Sequence, residues 1–447
     1  MKPFVLSASL LATSILVVAA CGDSPADVAS TGPGDGDAGP PTADASEAEG
    51  TLTLTVTGLP DGVKARVMLR GPAGEQEVDA PGAVRVRAGT YAATGKSTTG
   101  TDAIVPKLFA AAPSKEASVS AGGGATLEIA YAAVPTSGRL WMVAGDQLLA
   151  FPSAKLGATS TQSGQASTLS AAATATAFAS DGSLWVAAAA QLRHYPASSL
   201  ASEGAPMPDV TLAVPAATAQ GVTTIGGLAV DGAGNVWYAA TAEDVVRRVA
   251  KADLGASGTV TKYVTLGGLD KPTALAFDAA GNLWTLDGGE RGVKRFSAAN
   301  LAKDQGGPDH ALMPFSAGAD PKPLVHPSAM AFDKAGALWL ADGGDLVRLA
   351  PSDLTQGEPR PAIHIEITSP IPKDRIAFDA SGGLWLAFSV AADLQGTPLL
   401  PSFARYAPGQ IATSSSEPIE PERVVSFPAP QGVEGAEQLV FFPSIAP

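Results

Sequence analysis

A chain of 447 residues has room for about three domains, and an apolar fraction of 45% supplies large cores. With 49 glycines, 36 prolines and only 16% charged residues, the composition favours many short strands joined by turns over long helices. The net charge of −14, with no basic stripe along the chain, excludes nucleic acid and anionic lipid surfaces as partners.

The N-terminus reads MKPFVLSASLLATSILVVAAC, with Lys2 ahead of an apolar stretch from Phe4 to Val18 and the small residues Ala19 and Ala20 before Cys21. That stretch is too short and too Ser/Ala-rich for a comfortable membrane span. Cys21 is the only cysteine, so no internal disulfide can form. The pattern resembles the bacterial lipobox, with Val18 in place of the commoner leucine. The resemblance implies a signal peptide over residues 1–20, cleavage before Cys21 and acylation of its thiol. At about 0.8 kcal/mol per buried CH₂, several acyl chains hold a protein on a bilayer stably. The expectation is an exported protein that is anchored to the membrane through lipid alone.

Residues 21–50 follow as a tether. They contain Val28 as the single large aliphatic, no aromatic, no Lys or Arg, and the carboxylates Asp23, Asp27, Asp35, Asp37, Asp44, Glu47 and Glu49. Such a segment cannot repay the entropy of ordering and is expected to be disordered and self-repelling. A long acidic leash serves reach, which favours the outer membrane or cell surface over the inner membrane.

From Thr51 the texture changes. TLTLTVT (Thr51 to Thr57), ARVMLR (Ala65 to Arg70), AVRVR (Ala83 to Arg87) and ATLEIAY (Ala125 to Tyr131) alternate apolar and polar at period two, the mark of half-buried strands. Pro60-Asp61-Gly62, Gly71-Pro72 and Gly122-Gly123-Gly124 separate them as turns. RAGTYAATG (Arg87 to Gly95) resembles the hairpin of transthyretin-like sandwich modules. Residues 51–134 therefore read as one small β-sandwich, by default a spacer or adhesion domain.

The remainder, residues 135–447, is periodic. GLAVDGAGNVW (Gly227 to Trp237), ALAFDAAGNLW (Ala274 to Trp284), AMAFDKAGALW (Ala329 to Trp339) and RIAFDASGGLW (Arg375 to Trp385) are copies of one unit. TAFASDGSLW (Thr176 to Trp185) is a looser copy and GRLW (Gly138 to Trp141) a truncated one. All six tryptophans share the same repeat position, at spacings of 44, 52, 47, 55 and 46 residues. Periods of this size with three or four strands each indicate propeller blades. In each unit an apolar strand ends in Asp, Asp-x-x-Gly makes a turn, and a second strand carries the Trp. The C-terminal QLVFF (Gln438 to Phe442) matches the missing first strand of the truncated copy. The expected architecture is all-β: a six-bladed propeller closed by its own C-terminus, behind the small sandwich and the tether.

These repeats resemble the NHL, gluconolactonase-like and streptogramin-lyase-like propellers over roughly residues 138–442. The resemblance is specific for architecture, because the motif residues build the blade. A gluconolactonase-like site would imply about three carboxylate or amide ligands around a divalent cation at the mouth. Residues ahead of the first strands rim that mouth: Lys271, His326, Asp374 with Arg375, and Glu437 with Gln438. Only Asp374 and Glu437 among them are carboxylates, and Lys271 and Arg375 offset them, which makes a poor metal cage. No catalytic or metal set and no cofactor is therefore assigned, and the five residues Lys271, His326, Asp374, Arg375 and Glu437 stand as a candidate binding rim. A streptogramin-lyase-like site would imply a His and acidic residues near the mouth; His326 could be that His, but no second His has a matching place, because His194, His310 and His364 fall on or near outer strands. Asp231, Asp278, Asp333 and Asp379 look like a ring of carboxylates but each opens a tight turn, where Asp is expected for structural reasons.

Two long segments, Pro314 to Pro327 and Ser389 to Ser402, fall on the face opposite the Asp-x-x-Gly turns, and loops on a rigid scaffold are where binding resides. The leading expectation is a monomeric, non-enzymatic binding or scaffold protein that engages a protein or glycan through that face. The alternative is a metal-assisted lactonase-like hydrolase or lyase acting on a small molecule at the mouth.

Overall fold

The computed structural model describes residues 48–78, 81–215, 224–312, 327–342, 345–356, 361–367, 372–388, 400–428 and 438–443; for 372–375 only the backbone is described. The fold is nearly all β and of propeller type. Among the described residues the strands form eight sheets, two within residues 49–133 and six within residues 139–442.

In the first pair, Glu49–Thr57 lies between Gly82–Arg87, antiparallel, and Gly124–Ala133, parallel. Its threonines face outward while Leu52 and Leu54 are buried. A second sheet, with Arg66–Gly71 and Gly89–Lys96 at its centre, shares the same core through Val67, Leu69 and Tyr91. One expectation needs correction here. Arg87 to Gly95 is not a hairpin, because Gly82–Arg87 pairs in the first sheet and Gly89–Lys96 in the second. The chain crosses between sheets at Gly89, whose φ of +154° suits glycine, and the Tyr91 hydroxyl donates back to Arg87 O at 2.8 Å.

The six remaining sheets each carry one tryptophan on the second strand. The innermost strands are Ala175–Phe178, Ile225–Val230, Pro272–Phe277, Pro327–Phe332, Pro372–Phe378 and Gln438–Phe442; each touches the next and the last touches the first. The turn glycines Gly234, Gly281, Gly336 and Gly382 have φ between +77° and +86°, so the Asp-x-x-Gly expectation holds. The C-terminal strand pairs antiparallel with Arg139–Ala144, setting Leu140 opposite Phe441 and Trp141 opposite Val440. Gly138 completes the junction by donating its N–H to Phe442 O at 3.0 Å.

The sheets are also joined at the outer rim. Ser160–Thr161 runs parallel to Arg423–Ser426, Gly258–Thr259 to Val210–Ala213, and Ser415–Ile419 to Ile363–Ile367. Isolated parallel bridges link Ser167 to Gly204 and Leu266 to Gly306. In each case the connection between third and fourth strands covers the outer edge of the neighbouring sheet, so that edge does not stand open to pair with another chain. These connections bury Leu156, Leu200, Leu254, Leu301 and Ile411, and Leu354 is buried in the corresponding connection of the Trp339 sheet, a second repeated feature that the tryptophan alignment does not reveal.

Residues 100–108, between the two-residue strand Thr98–Thr99 and Leu108–Ala111, sit on the ring at its closure point. Val105 is buried with Leu140, Phe151, Phe403 and Phe441, between the Trp385 and Trp141 sheets. Leu108 is buried with Trp141, Leu184 and Phe442, between the Trp141 and Trp185 sheets. Ile104 O accepts Ala380 N–H at 3.1 Å, and Asp102 Oδ1 accepts the Ser153 hydroxyl at 2.6 Å. Among the described residues no helix is long and apolar enough to cross a membrane.

Candidate functional site

The repeated aspartates are consumed by the fold. Oδ1 of Asp278 accepts the N–H groups of Ala280 and Asn282, and Oδ2 accepts Asn282 Nδ2 and the Trp284 indole at 2.8 Å. Asp231 repeats this with Ala233, Asn235 and Trp237. The third strand supplies an arginine opposite each of these tryptophans, and Arg248 and Arg295 lie over the Trp237 and Trp284 rings at 5.6 and 5.7 Å. Where the asparagine is replaced by Ala337 or Gly383, the arginine takes over its role. Arg348 Nε approaches Asp333 Oδ2 at 3.3 Å, and Arg405 Nε donates to Asp379 Oδ2 at 2.6 Å. Gly383 leaves room for the shorter of the two contacts, since a Cβ there would stand 2.3 Å from the Arg405 guanidinium as it is placed. The structural reading of these four carboxylates is borne out.

Along the axis runs a cavity of about 900 Å³. At one level its wall is made by Ala177, Ala229, Ala276, Ala331, Ala377 and Val440, each the partner of a tryptophan across the first strand pair. Valine takes the sixth position because the C-terminal strand supplies it. The cavity continues to the Asp-x-x-Gly turns, where Ser97 and Leu108 of the N-terminal sheets border it.

The rim residues read from the sequence fare unequally. Lys271 is exposed, with φ +54°; its N–H donates to Asp244 Oδ1 at 2.8 Å, and its carbonyl accepts Gly288 N–H. Asp374 and Arg375 lie in the backbone of Pro372–Phe378, within the register shift between Pro372 and Ile376. His326, Glu437 and Cys21 lie outside the described residues, as do most of Pro314 to Pro327 and Ser389 to Ser402. Of the five, only the side chain of Lys271 is among those described. Gln438 is a buried strut, accepting Thr176 Oγ1 at 2.5 Å and donating to Thr174 O at 2.8 Å. Among the described residues no group of three or more His, Cys, Asp or Glu side chains is arranged to hold a metal ion. His194 and His364 pair with Asp209 and Asp345 at 2.6 and 3.1 Å.

Sequence reasoning missed a set of buried cations on the third strands. Lys294 Nζ, buried, reaches Asp287 Oδ2 at 2.8 Å, Glu290 Oε2 at 2.9 Å and Gly268 O at 2.8 Å. Burial opposes its charge, but the hydrogen bonds to Asp287 and Glu290 outweigh that and hold the ammonium above its ordinary pKa. Asp287 Oδ2 also accepts Asp270 N–H at 3.0 Å. Arg247 holds the same position in the preceding sheet, with Glu243 Oε2 at 2.5 Å and the Tyr263 ring 4.9 Å from its guanidinium. Burial pushes the neighbouring Tyr238 hydroxyl up to about 12. Only the i,i+4 spacing of Glu243 with Arg247 and of Glu290 with Lys294 could have hinted at these pairs.

No protein-family model matches the chain, and no curated protein matches it. Solved structures do. A protein of unknown function from Bacteroides caccae aligns at 11% identity and TM-score 0.46, covering 68% of this chain and 98% of that one. A streptogramin B lyase aligns at 12% and 0.39, covering 58% and 70%. The virginiamycin B lyase of Staphylococcus aureus aligns at 13% and 0.37, covering 72% and 79%. At these identities and scores nothing about activity passes to this chain, and its fold rests on its own strand pairing.

Proposed function

We propose that the chain is an exported lipoprotein anchored through Cys21, with a small β-sandwich over residues 51–134 and a six-bladed propeller over 135–447, and that the propeller binds a protein or glycan through its long-loop face. Six Trp-bearing repeats, the ring of inner strands and the pairing of Gln438–Phe442 with Arg139–Ala144 support six blades. Two sheets sharing the Leu52, Val67 and Tyr91 core support the sandwich.

The binding face is carried by where length and backbone strain collect. Between second and third strands the chain uses two residues after Ala144 and Ala188, yet it runs from Phe388 to Ser402 in the Trp385 sheet. Ala189, Asp244, Lys271 and Arg291, non-glycine residues with φ between +53° and +57°, all lie in connections on that same face. Strain of this kind persists where a rigid scaffold enforces it and often marks recognition surfaces. Replacing residues 389–401 by Asn-Gly should leave melting unchanged while a partner crosslinked in the native envelope is lost at least tenfold. An identical crosslinking profile for both proteins would remove the assignment.

Anchoring has its own test. Cys21→Ser should move the protein from the membrane pellet to the soluble fraction with its fold intact, and a variant that still pellets would exclude lipid attachment at Cys21. The outer membrane or cell surface is the proposed destination.

A further inference from the structure

We propose that the axial cavity is a second binding site, for a neutral, predominantly apolar small molecule that meets the free edges of the inner strands. Its volume of about 900 Å³ lies within the range of about 300–1,000 Å³ typical of small-molecule pockets and far below what a macromolecule needs. The wall is apolar at the level of the five alanines and Val440, and Phe178 and Phe277, both half-buried, continue it toward the turns.

The charged side chains of the wall, and Thr176 with Gln438, are already committed. Thr176 and Gln438 bond to each other. The carboxylates of Asp231 and Asp278 have both oxygens bound to turn N–H groups, an asparagine and an indole. Charge recognition is therefore spent before a ligand arrives. The hydroxyls of Ser97 and Ser180 remain, and so does the backbone, because each innermost strand is the last of its sheet and turns its outer edge toward the axis. A neutral molecule with an apolar body and a few hydroxyl, amide or carbonyl groups matches that wall, whereas an anion would face two carboxylates at the turn end.

The test uses the full chain and N-phenyl-1-naphthylamine, a neutral apolar fluorophore, with 1-anilinonaphthalene-8-sulfonate as its anionic counterpart. The neutral probe should bind saturably at one site, and the anionic one at least tenfold more weakly. Filling the cavity by Ala276→Leu with Ala331→Leu should weaken the neutral probe at least tenfold. Ala280→Leu, on the exposed turn, should leave it unchanged. If the double variant fails to fold, Ala177→Val provides the smaller filling and should still weaken binding several-fold. Equal binding of the two probes, no saturable binding, or undiminished binding to a folded filled variant would overturn the proposal. None of these outcomes bears on the long-loop face, which is tested separately.

Discussion

Deleting Glu437 to Pro447 should convert a folded protein into one that aggregates or melts far below the intact chain. The deletion removes the innermost strand of the Trp141 sheet, leaving the edge of Arg139–Ala144 unpaired. It also removes Leu439, Phe441 and Phe442, all buried. Phe441 meets Trp385 at 5.9 Å and Phe442 stacks on Phe178 at 4.9 Å, so the loss falls on the seams to both neighbouring sheets. Burial of such a side chain contributes about 1.5–3 kcal/mol, against a domain margin of about 5–15 kcal/mol. The outer pairing of Ser160–Thr161 with Arg423–Ser426 is too short to hold the ring alone. Thermal unfolding followed by circular dichroism decides the matter. A truncated protein with unchanged melting would show that the C-terminal strand is dispensable.

Val105→Asp combined with Leu108→Asp should also destabilise the ring itself, although both residues precede it in sequence. Each is buried against a seam beside the Trp141 sheet, where Arg139–Ala144 meets Gln438–Phe442. An unpaired carboxylate in either seam carries a desolvation penalty of several kcal/mol. The expected result is a drop of about 10 °C or more in the main transition, with faster amide exchange in Arg139–Ala144 and Gln438–Phe442. Leu69→Ala, in the core of the N-terminal sheets, should spare exchange at those strands. If the double variant affects only the N-terminal sheets, residues 100–108 are a passive connection and do not clasp the ring.

Much of this architecture is legible in the sequence because it is local and repeated. Asp, Gly and Trp at fixed offsets state a turn and the strand after it, and QLVFF at the far end is the missing copy of the first strand. That pattern also explains why the four repeated aspartates are not a site, since a residue expected at a turn needs no further role. It does not tell that Arg348 and Arg405 stand in for an asparagine, although Gly383 is its trace.

The repeat is written in the residues themselves: strand, turn and tryptophan, and the closing strand that completes the set. Each depends on residues within about fifty positions or on a direct copy of the motif. Which side chains meet across the seams is set by the packing of whole sheets. The placing of Val105 and Leu108 at the closure, and the packing of Phe441 on Trp385 and of Phe442 on Phe178, depend on which sheet faces which. So does the crossing at Gly89, where the same alternating pattern serves strands in two different sheets. Period-two alternation states that one side of a strand is buried, and the partner across the interface is set by packing alone.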